Sequence, residues 1–180
     1  MSTALQTALP TGTWGTDKTH STANFAIKYM VSTFRSEFTD VDVQLDTTGD
    51  EPKLTGTVDP ASIQVKDENF HAHLQSPDFF DTENHPQITF ESTGFRVDGE
   101  DLVVDGNLTI KGETRPVEAR GTLTPAHEDP WGNTRLGITL EAAVDRTHFG
   151  INWNNPLPKG GLALADDVKL HVDLQLVKAA

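Results

Sequence analysis

Apolar residues recur at every second position along most of this chain. Between residues 23 and 29, four apolar side chains alternate with Asn24, Ala26 and Lys28. This period of two is typical of a β-strand with one buried face. About eight such strands are predicted, and the others are Val41–Asp46 with a preceding Phe38, Leu54–Val65, Ile88–Val97, Leu102–Ile110, Val117–Leu123, Leu136–Val144 and Val168–Val177.

Short turn sequences separate the predicted strands. They include Thr48-Gly49-Asp50, Asp98-Gly99-Glu100, Lys111-Gly112-Glu113 and Pro130-Trp131-Gly132-Asn133. Pro116 is expected at a strand start, where its missing N–H does no harm. Alternating strands joined by short turns favour an antiparallel sheet that closes on itself. The predicted fold class is therefore all-β, an eight-stranded antiparallel barrel, a size that can hold one small ligand inside.

One stretch, residues 66–81, lacks the alternation of a strand. Acidic residues beginning at Asp67 suit the first turn of a helix, and Pro77 ends it. The residues expected on one face of this short helix are Phe70, His73 and Leu74.

Charge and cysteine content exclude several classes of function. The 14 basic and 27 acidic residues give a net charge of −13. We therefore expect no nucleic-acid partner and no electrostatic docking to anionic lipid headgroups. Without cysteine there is no disulfide, no thiolate metal site and no cysteine nucleophile.

The chain length and its amino terminus suggest one domain outside the membrane. A chain of 180 residues fits a single domain, which we divide into an N-terminal extension, residues 1–12, and a barrel domain, residues 13–179. No stretch approaches the ~20 apolar residues of a transmembrane segment. The first ten residues lack the charged and apolar regions of a signal peptide, so the expected localisation is cytoplasmic.

Two polar clusters are candidates for chemistry. His71 and His73 lie two residues apart, and on a helix they would point to different faces, so we expect no metal site. We expect a solvated His71 and a packed or hydrogen-bonded His73. The other cluster, Asp17–Ser21, brings acid, imidazole and hydroxyl together. Because no Gly-x-Ser-x-Gly elbow is present, a structural turn held by Asp17 and Ser21 is favoured over catalysis there.

The apolar residues leave two interpretations open. Nine Phe residues stand against one Tyr and three Trp. They could fill an ordinary core or line a cavity, and both arrangements use the same inward face. A cavity would suit an apolar ligand, because burying ~400 Å² of hydrocarbon is worth ~10 kcal/mol before ordering costs.

Seven segments carry a resemblance that extends over the run from Trp14 to Lys178. They are Asp17–Ser21 leading into Asn24–Lys28, Phe34–Asp40, His73–Asp81, His85–Ser92, Gly106–Val117, Asp129–Gly137, and Asp145–Asn154 followed by Asp166–Leu170. In this order they resemble the YceI-like family of lipocalin-like, polyisoprenoid-binding proteins. Two positions depart from the family pattern: Phe70-His71 stands where an Arg–Asp pair is usual, and Tyr29 stands where a His is common.

The resemblance implies an elongated lipocalin-like barrel with a short helix near its mouth. It also implies a long apolar pocket for a polyisoprenoid, such as a quinone or a prenyl lipid, that is bound, stored or transported without catalysis. No cofactor, metal or catalytic residue is expected. The residues expected to bind the ligand are Phe25, Ile27, Phe38, Phe79, Phe80, Phe90, Phe149 and Trp153.

Two other functions stay open. The first is an enzyme that acts on an amphipathic, lipid-like substrate, with Asp17, His20 or His148 as acid or base. The second is a stress-related scaffold with a filled core and no ligand. The expected partner is an apolar small molecule, and the oligomeric state stays open, with a homodimer as one option.

Overall fold

The computed structural model describes residue 5 and residues 8–180 of the chain. This part contains ten strands, the helix α1 and two short 3-10 helices, η1 and η2. In chain order the elements are β1 (Thr13–Thr16), β2 (Thr22–Tyr29), β3 (Ser32–Phe38), β4 (Val41–Asp46), β5 (Lys53–Val58), η1 (Pro60–Ser62), α1 (Glu68–Gln75), β6 (Ile88–Asp98), β7 (Asp101–Ile110), β8 (Glu113–Glu128), β9 (Thr134–Asp145), η2 (Arg146–Phe149) and β10 (Leu164–Lys178).

The strands form a closed antiparallel barrel. The order around the ring is β1-β4-β5-β6-β7-β8-β9-β10, and the pairing of β1 with β10 closes it. β10 is long enough to pair with β1 near Lys178 and with β2 from Leu164 to Asp173. β2 therefore lies beside β10 as an extension of β1, and β3 pairs with β2 as β4 pairs with β1. The predicted eight-stranded barrel is confirmed.

The boundaries of some predicted strands are wrong. The stretch Leu54–Val65 ends as a strand at Val58, because Asp59 caps η1, which begins at Pro60. β1 and most of β3 were not predicted, since β1 has only four residues and β3 alternates aromatic with polar side chains without a continuous apolar run. Pro116 is the fourth residue of β8, not its first. It is tolerated there because β8 pairs with β9 only from Arg120 onward.

Side chains fill one end of the barrel. Trp14 on β1 lies opposite Leu45 on β4, and Leu136 on β9 lies opposite Leu176 on β10, all of them almost completely buried. Leu9 from the N-terminal extension packs into the same core cluster. We call this the closed end, and its packing leaves free space only farther along the barrel.

The N-terminal extension, residues 1–12, lies partly outside the described residues. Leu5 and Leu9 are buried against the barrel. The Thr47 hydroxyl donates a hydrogen bond to the carbonyl of Pro10 at 2.8 Å. The described part of the extension is therefore attached to the closed end.

The opposite end, which we call the mouth, is where several loops meet. The β2–β3 turn contacts the segment before β10, since the Met30 N–H donates to the Ala163 carbonyl at 2.7 Å. Lys111 in the β7–β8 turn donates to the carbonyls of Pro77 and Gly150 and so joins three loops. This turn has two residues, Lys111 and Gly112, both with positive φ, as a tight hairpin between right-twisted strands requires.

Candidate functional site

A cavity of about 620 Å³ occupies the barrel between the closed end and the mouth. Inward-facing residues of the strands form its wall, and α1 and the loops of the mouth form the rest. The lining is overwhelmingly apolar, and aromatic side chains cluster toward the mouth. This volume is in the range of cavities that enclose one small ligand.

The structure places all eight residues of the predicted site around this cavity. β2 contributes Phe25 and Ile27 because its alternate residues face inward, and the same alternation turns Phe38 of β3 and Phe90 of β6 toward the cavity. The other four come from the loop after α1 and from the segment that begins at η2. The eight are Phe25, Ile27, Phe38, Phe79, Phe80, Phe90, Phe149 and Trp153.

A row of aromatic rings runs along one side of the cavity toward the mouth. Phe80 contacts Phe38, Phe38 contacts Phe25, Phe25 contacts Phe34 and Phe34 contacts Phe70, with ring centroids 5.5–5.9 Å apart. These separations are typical of tilted and edge-to-face aromatic pairs. The prediction omitted Phe34, although the spacing of Phe34, Ser36 and Phe38 is itself the alternation of a strand.

Helix α1 lies beside this aromatic row and covers part of the mouth. It begins where the Asp67 carboxylate accepts a hydrogen bond from the Phe70 N–H, and it ends at Gln75 with Ser76 as its cap. Leu74 is its buried residue. The predicted helix is confirmed, and Phe70 contacts the ring of Phe34 beside the cavity.

The two histidines of α1 have different neighbours. His73 packs edge-on against Phe79 and Trp153, with ring centroids 5.0 Å away, and its Nε2 lies 2.9 Å from the Asp78 carboxylate. The packed, hydrogen-bonded His73 is confirmed. His71 stays partly exposed to solvent, and its Nε2 also lies 2.9 Å from the Ala61 carbonyl.

A glycine shapes the cavity wall at β7. The Phe90 ring lies directly over Gly106, so that a Cβ added to this glycine would come within 2.3 Å of the ring. Only glycine gives the ring this position without displacement. The sequence contains no signal for this contact, because it depends on the pairing of β6 with β7.

Arg146 is a second lining residue, besides Phe34, that was not predicted from the sequence. Its side chain is only 5% exposed, and it lines the cavity beside η2. Its Nε donates to the Ala165 carbonyl, and its Nη1 donates to the carbonyls of Ile151 and Trp153, each at 2.8 Å. Nη2 reaches the Asp166 carboxylate at 3.2 Å. Burial lowers the pKa of this guanidinium, and its hydrogen bonds fix the segment that carries Trp153.

Asp17 and Ser21 hold the turn between β1 and β2. The Asp17 carboxylate accepts hydrogen bonds from the backbone N–H groups of Thr19 and His20, and it lies 2.9 Å from Nδ1 of His20. It also accepts a bond from the Arg135 guanidinium. The Ser21 hydroxyl donates to the Gln175 carbonyl at 3.2 Å. The side-chain to backbone bonds predicted for this turn are confirmed.

These contacts predict how stability changes in acid. Hydrogen bonds from His20 and Arg135 lower the pKa of Asp17 from 3.8 to about 2. A lowered carboxylate pKa stabilises the folded state above the unfolded value, and this stabilisation is lost as the pH falls from about 4 to about 2. We expect Asp17→Asn to lower the Tm at pH 7 by about 3–6 °C, for a loss of about 1–2 kcal/mol.

Thermal melts as a function of pH check this expectation. The Tm difference between wild type and Asp17→Asn should shrink steadily below about pH 4. Asp42→Asn is the control, since Asp42 is an exposed carboxylate on β4 that makes no ion pair with the residues the structure describes. A difference that stays constant down to pH 2 would contradict the assigned role of Asp17.

The other acid–base candidates lie away from the cavity. Asp17, His20 and His148 are absent from its lining. The side chains of His20 and His148 are both more than 60% exposed. Among the described residues, the acidic or basic side chains that do contribute to the lining are those of His73, Glu141 and Arg146. Each of them has a partner. His73 contacts Asp78, Glu141 contacts His171, and Arg146 donates to backbone carbonyls.

Comparison with protein families gives one match over most of the chain. The model of the YceI-like domain matches residues 14–176. A UPF0312 protein of Staphylococcus epidermidis is 35% identical over 166 residues, which cover 88% of this chain and 94% of that protein. Protein YceI of Escherichia coli is 33% identical over 136 residues, covering 73% of this chain and 71% of that protein.

Solved structures show the same fold. BcnA of Burkholderia cenocepacia superposes with a TM-score of 0.70 at 23% identity, covering 91% of this chain and 99% of BcnA. A polyisoprenoid-binding domain from Saccharophagus degradans, implicated in plant cell wall breakdown, gives a TM-score of 0.66 at 13% identity, with 92% and 98% coverage. Among the described residues, none of the helices is long and apolar enough to cross a bilayer.

Proposed function

Because the chain belongs to the YceI-like family, we propose that it binds a polyisoprenoid, such as a quinone or a prenyl lipid, inside the barrel and stores or transports it without catalysis. The single observation that carries this proposal is the cavity of about 620 Å³ with its nearly continuous apolar and aromatic lining. The polyisoprenoid-binding domain with the same fold supports the choice of ligand class.

The shape and chemistry of the cavity favour a chain-like ligand. Phe25, Phe38 and Phe80 offer a continuous row of rings for hydrocarbon to pack on. Few polar groups face the interior, so recognition there depends on burying apolar area, which contributes about 25 cal/mol per Å². A long prenyl chain supplies such area along its whole length, and its polar head would lie at the mouth.

The cavity also weighs against a scaffold with a filled core. Protein interiors pack to a density of about 0.75 and leave few voids larger than a water molecule. A cavity of about 620 Å³ is far larger than such a void. An enzymatic function finds little support either, because His20 and His148 point into solvent and Asp17 is engaged in its own turn.

Native mass spectrometry of protein purified without detergent tests the proposal. We expect a bound species at a ratio of about one per barrel, since a closed barrel of this size holds one small ligand. Organic extraction should release a prenyl quinone or another prenyl lipid. The same spectra report whether the protein is a monomer or the homodimer that the sequence analysis left open.

Protein that has been stripped of ligand serves as the control. After incubation with prenyl lipids of several chain lengths, it should take up one molecule and return to the bound mass. If the protein still shows only its ligand-free mass after all these incubations, the proposed function is contradicted.

A further inference from the structure

An exposed apolar surface surrounds the mouth of the cavity. Val31 at the tip of the β2–β3 turn is fully exposed, and Met30 and Leu162 are more than half exposed. Tyr29 and Phe70 are about one-third exposed and also line the cavity. We call these five residues, Tyr29, Met30, Val31, Phe70 and Leu162, the mouth patch. It joins the cavity lining directly, so apolar surface runs from the outside of the protein into the barrel.

The parts of the mouth patch are held close together. Tyr29 pairs with Leu164 across β2 and β10, and the Met30 N–H binds the Ala163 carbonyl, next to Leu162. Phe70 of α1 contacts Phe34 of β3, which lies only three residues beyond Val31. Exposed apolar residues that cluster in this way mark an interaction surface.

The basic residues are distributed unevenly over the protein. Nine of its 14 Lys and Arg side chains make an ion pair, a hydrogen bond or a cation–π contact. The other five make no such contact with any residue that the structure describes. All five belong to elements at or near the mouth, and they are Lys28, Arg35, Lys66, Lys159 and Lys169.

Three of these cations form a row on the outer face beside the mouth patch. Arg35 and Lys169 flank Ala26 from either side, on β3 and β10, and Lys28 follows two residues later on β2. Lys28 is next to Tyr29, and Ala26 lies three residues before Tyr29. At about 3.4 Å per residue, the row therefore extends ~10 Å along β2 from Tyr29. That distance is about one Debye length at physiological salt. Glu37 and Asp167 adjoin the row on the same strands without bonding to it.

We propose that the mouth patch docks on the surface of an anionic lipid bilayer, so that the ligand passes directly between the membrane and the cavity. Met30 and Val31 would enter the interface between headgroups and acyl chains, while Lys28 and Arg35 bind the anionic headgroups. The net charge of −13 repels such a surface on average, but unpaired cations concentrate where the apolar residues are exposed. This docking rests on the proposed function, because its role is to give the apolar ligand a path between membrane and cavity that avoids water.

Vesicle co-sedimentation tests the docking. Wild-type protein should bind vesicles made of equal parts of phosphatidylcholine and phosphatidylglycerol, and high salt should weaken this binding. Lys28→Gln with Arg35→Gln should weaken it about 25-fold, or about fivefold for each cation removed. Met30→Asp with Val31→Asp should abolish it. None of these four residues lines the cavity, so all variants should keep their ligand in native mass spectra.

Two control variants carry matched changes away from the mouth. Lys18→Gln with Lys53→Gln removes the same charge from residues that form ion pairs elsewhere. Trp131→Asp places a carboxylate on an 81% exposed aromatic residue in the β8–β9 turn, near the closed end. Both controls should bind vesicles as the wild type does.

Three results would overturn the docking proposal. The first is that wild-type protein does not bind anionic vesicles. The second is that the control variants lose as much vesicle binding as the mouth variants. The third is that light scattering shows the wild type to be a dimer and the mouth variants to be monomers. The last would make the mouth patch an interface between two copies. If ligand is retained in any of these cases, the proposed function still stands. Vesicle binding by a protein that never takes up a prenyl lipid would instead contradict the proposed function.

Discussion

Replacing Ala142 with Trp should lower the amount of bound prenyl lipid at least ~10-fold, which corresponds to ~1.4 kcal/mol of binding free energy. Ala142 lies on β9, opposite Leu170 on β10, and both line the cavity. An indole at this position projects into space that the ligand would occupy. Because the new side chain enters a cavity and not a packed core, the fold should be preserved. Native mass spectrometry and extraction measure the bound lipid.

The next residue supplies the matched control. Ala143 faces outward on the same strand and is exposed, because successive side chains of a strand point to opposite faces. Ala143→Trp adds the same indole to the outside and should leave lipid binding unchanged. Circular dichroism should show the same sheet signal for both variants. Equal lipid binding by Ala142→Trp and wild type would show that the ligand does not occupy this part of the barrel.

The strands and the four pocket residues that lie on them, Phe25, Ile27, Phe38 and Phe90, were predictable because both depend on local alternation, whereas the four pocket residues on loops were expected from the family resemblance. On β4 the residues from Val41 to Asp46 alternate strictly between buried and exposed, as the sequence indicates. The inward aromatic residues of β2 and β6 follow from the same period of two. Phe25 and Phe90 occupy inward positions of this alternation. In a closed barrel, every inward position faces either the core or the cavity.

Other features depend on contacts between distant segments and could not be predicted in this way. Alternation alone does not show that the end near Trp14 is filled and the other end hollow, because both use inward apolar residues. The position of Phe90 over Gly106 requires the register of β6 against β7. The positions of the unpaired cations can be identified only when the partners of the other Lys and Arg residues are known. The net charge of the chain does not show where these cations lie.

Arg146 is the clearest case of such a residue. In the sequence it is one of 14 basic residues, and a basic side chain is expected to be exposed. It is buried because the chain returns at Ile151, Trp153 and Ala165 to offer three carbonyl acceptors. A planar guanidinium with five donors can bind these carbonyls and the Asp166 carboxylate at once.

Arg146→Met should destabilise the protein more than a substitution at an exposed arginine. Methionine leaves the carbonyls of Ile151, Trp153 and Ala165 without their donor, and we expect a loss of about 3–5 kcal/mol in the free energy of unfolding. For a chain of this size, that loss lowers the Tm by about 10 °C. Arg146→Lys should lose nearly as much, because an ammonium does not reproduce the fork of the guanidinium.

The same substitution should also weaken ligand retention, because Trp153 lies on the segment that Arg146 holds and its ring packs against His73 and Phe79 at the cavity wall. Arg115→Met is the control, since Arg115 is exposed and its ion pair with Glu113 lies on the surface, where such pairs contribute little. Urea unfolding measures the free energies, and native mass spectrometry measures the bound lipid. If Arg146→Met unfolds at the same urea concentration as Arg115→Met, the buried hydrogen bonds of Arg146 do not stabilise this segment, and its other contacts, such as the Trp153 ring contacts and the Asn154 hydrogen bonds to Leu164, hold it in place.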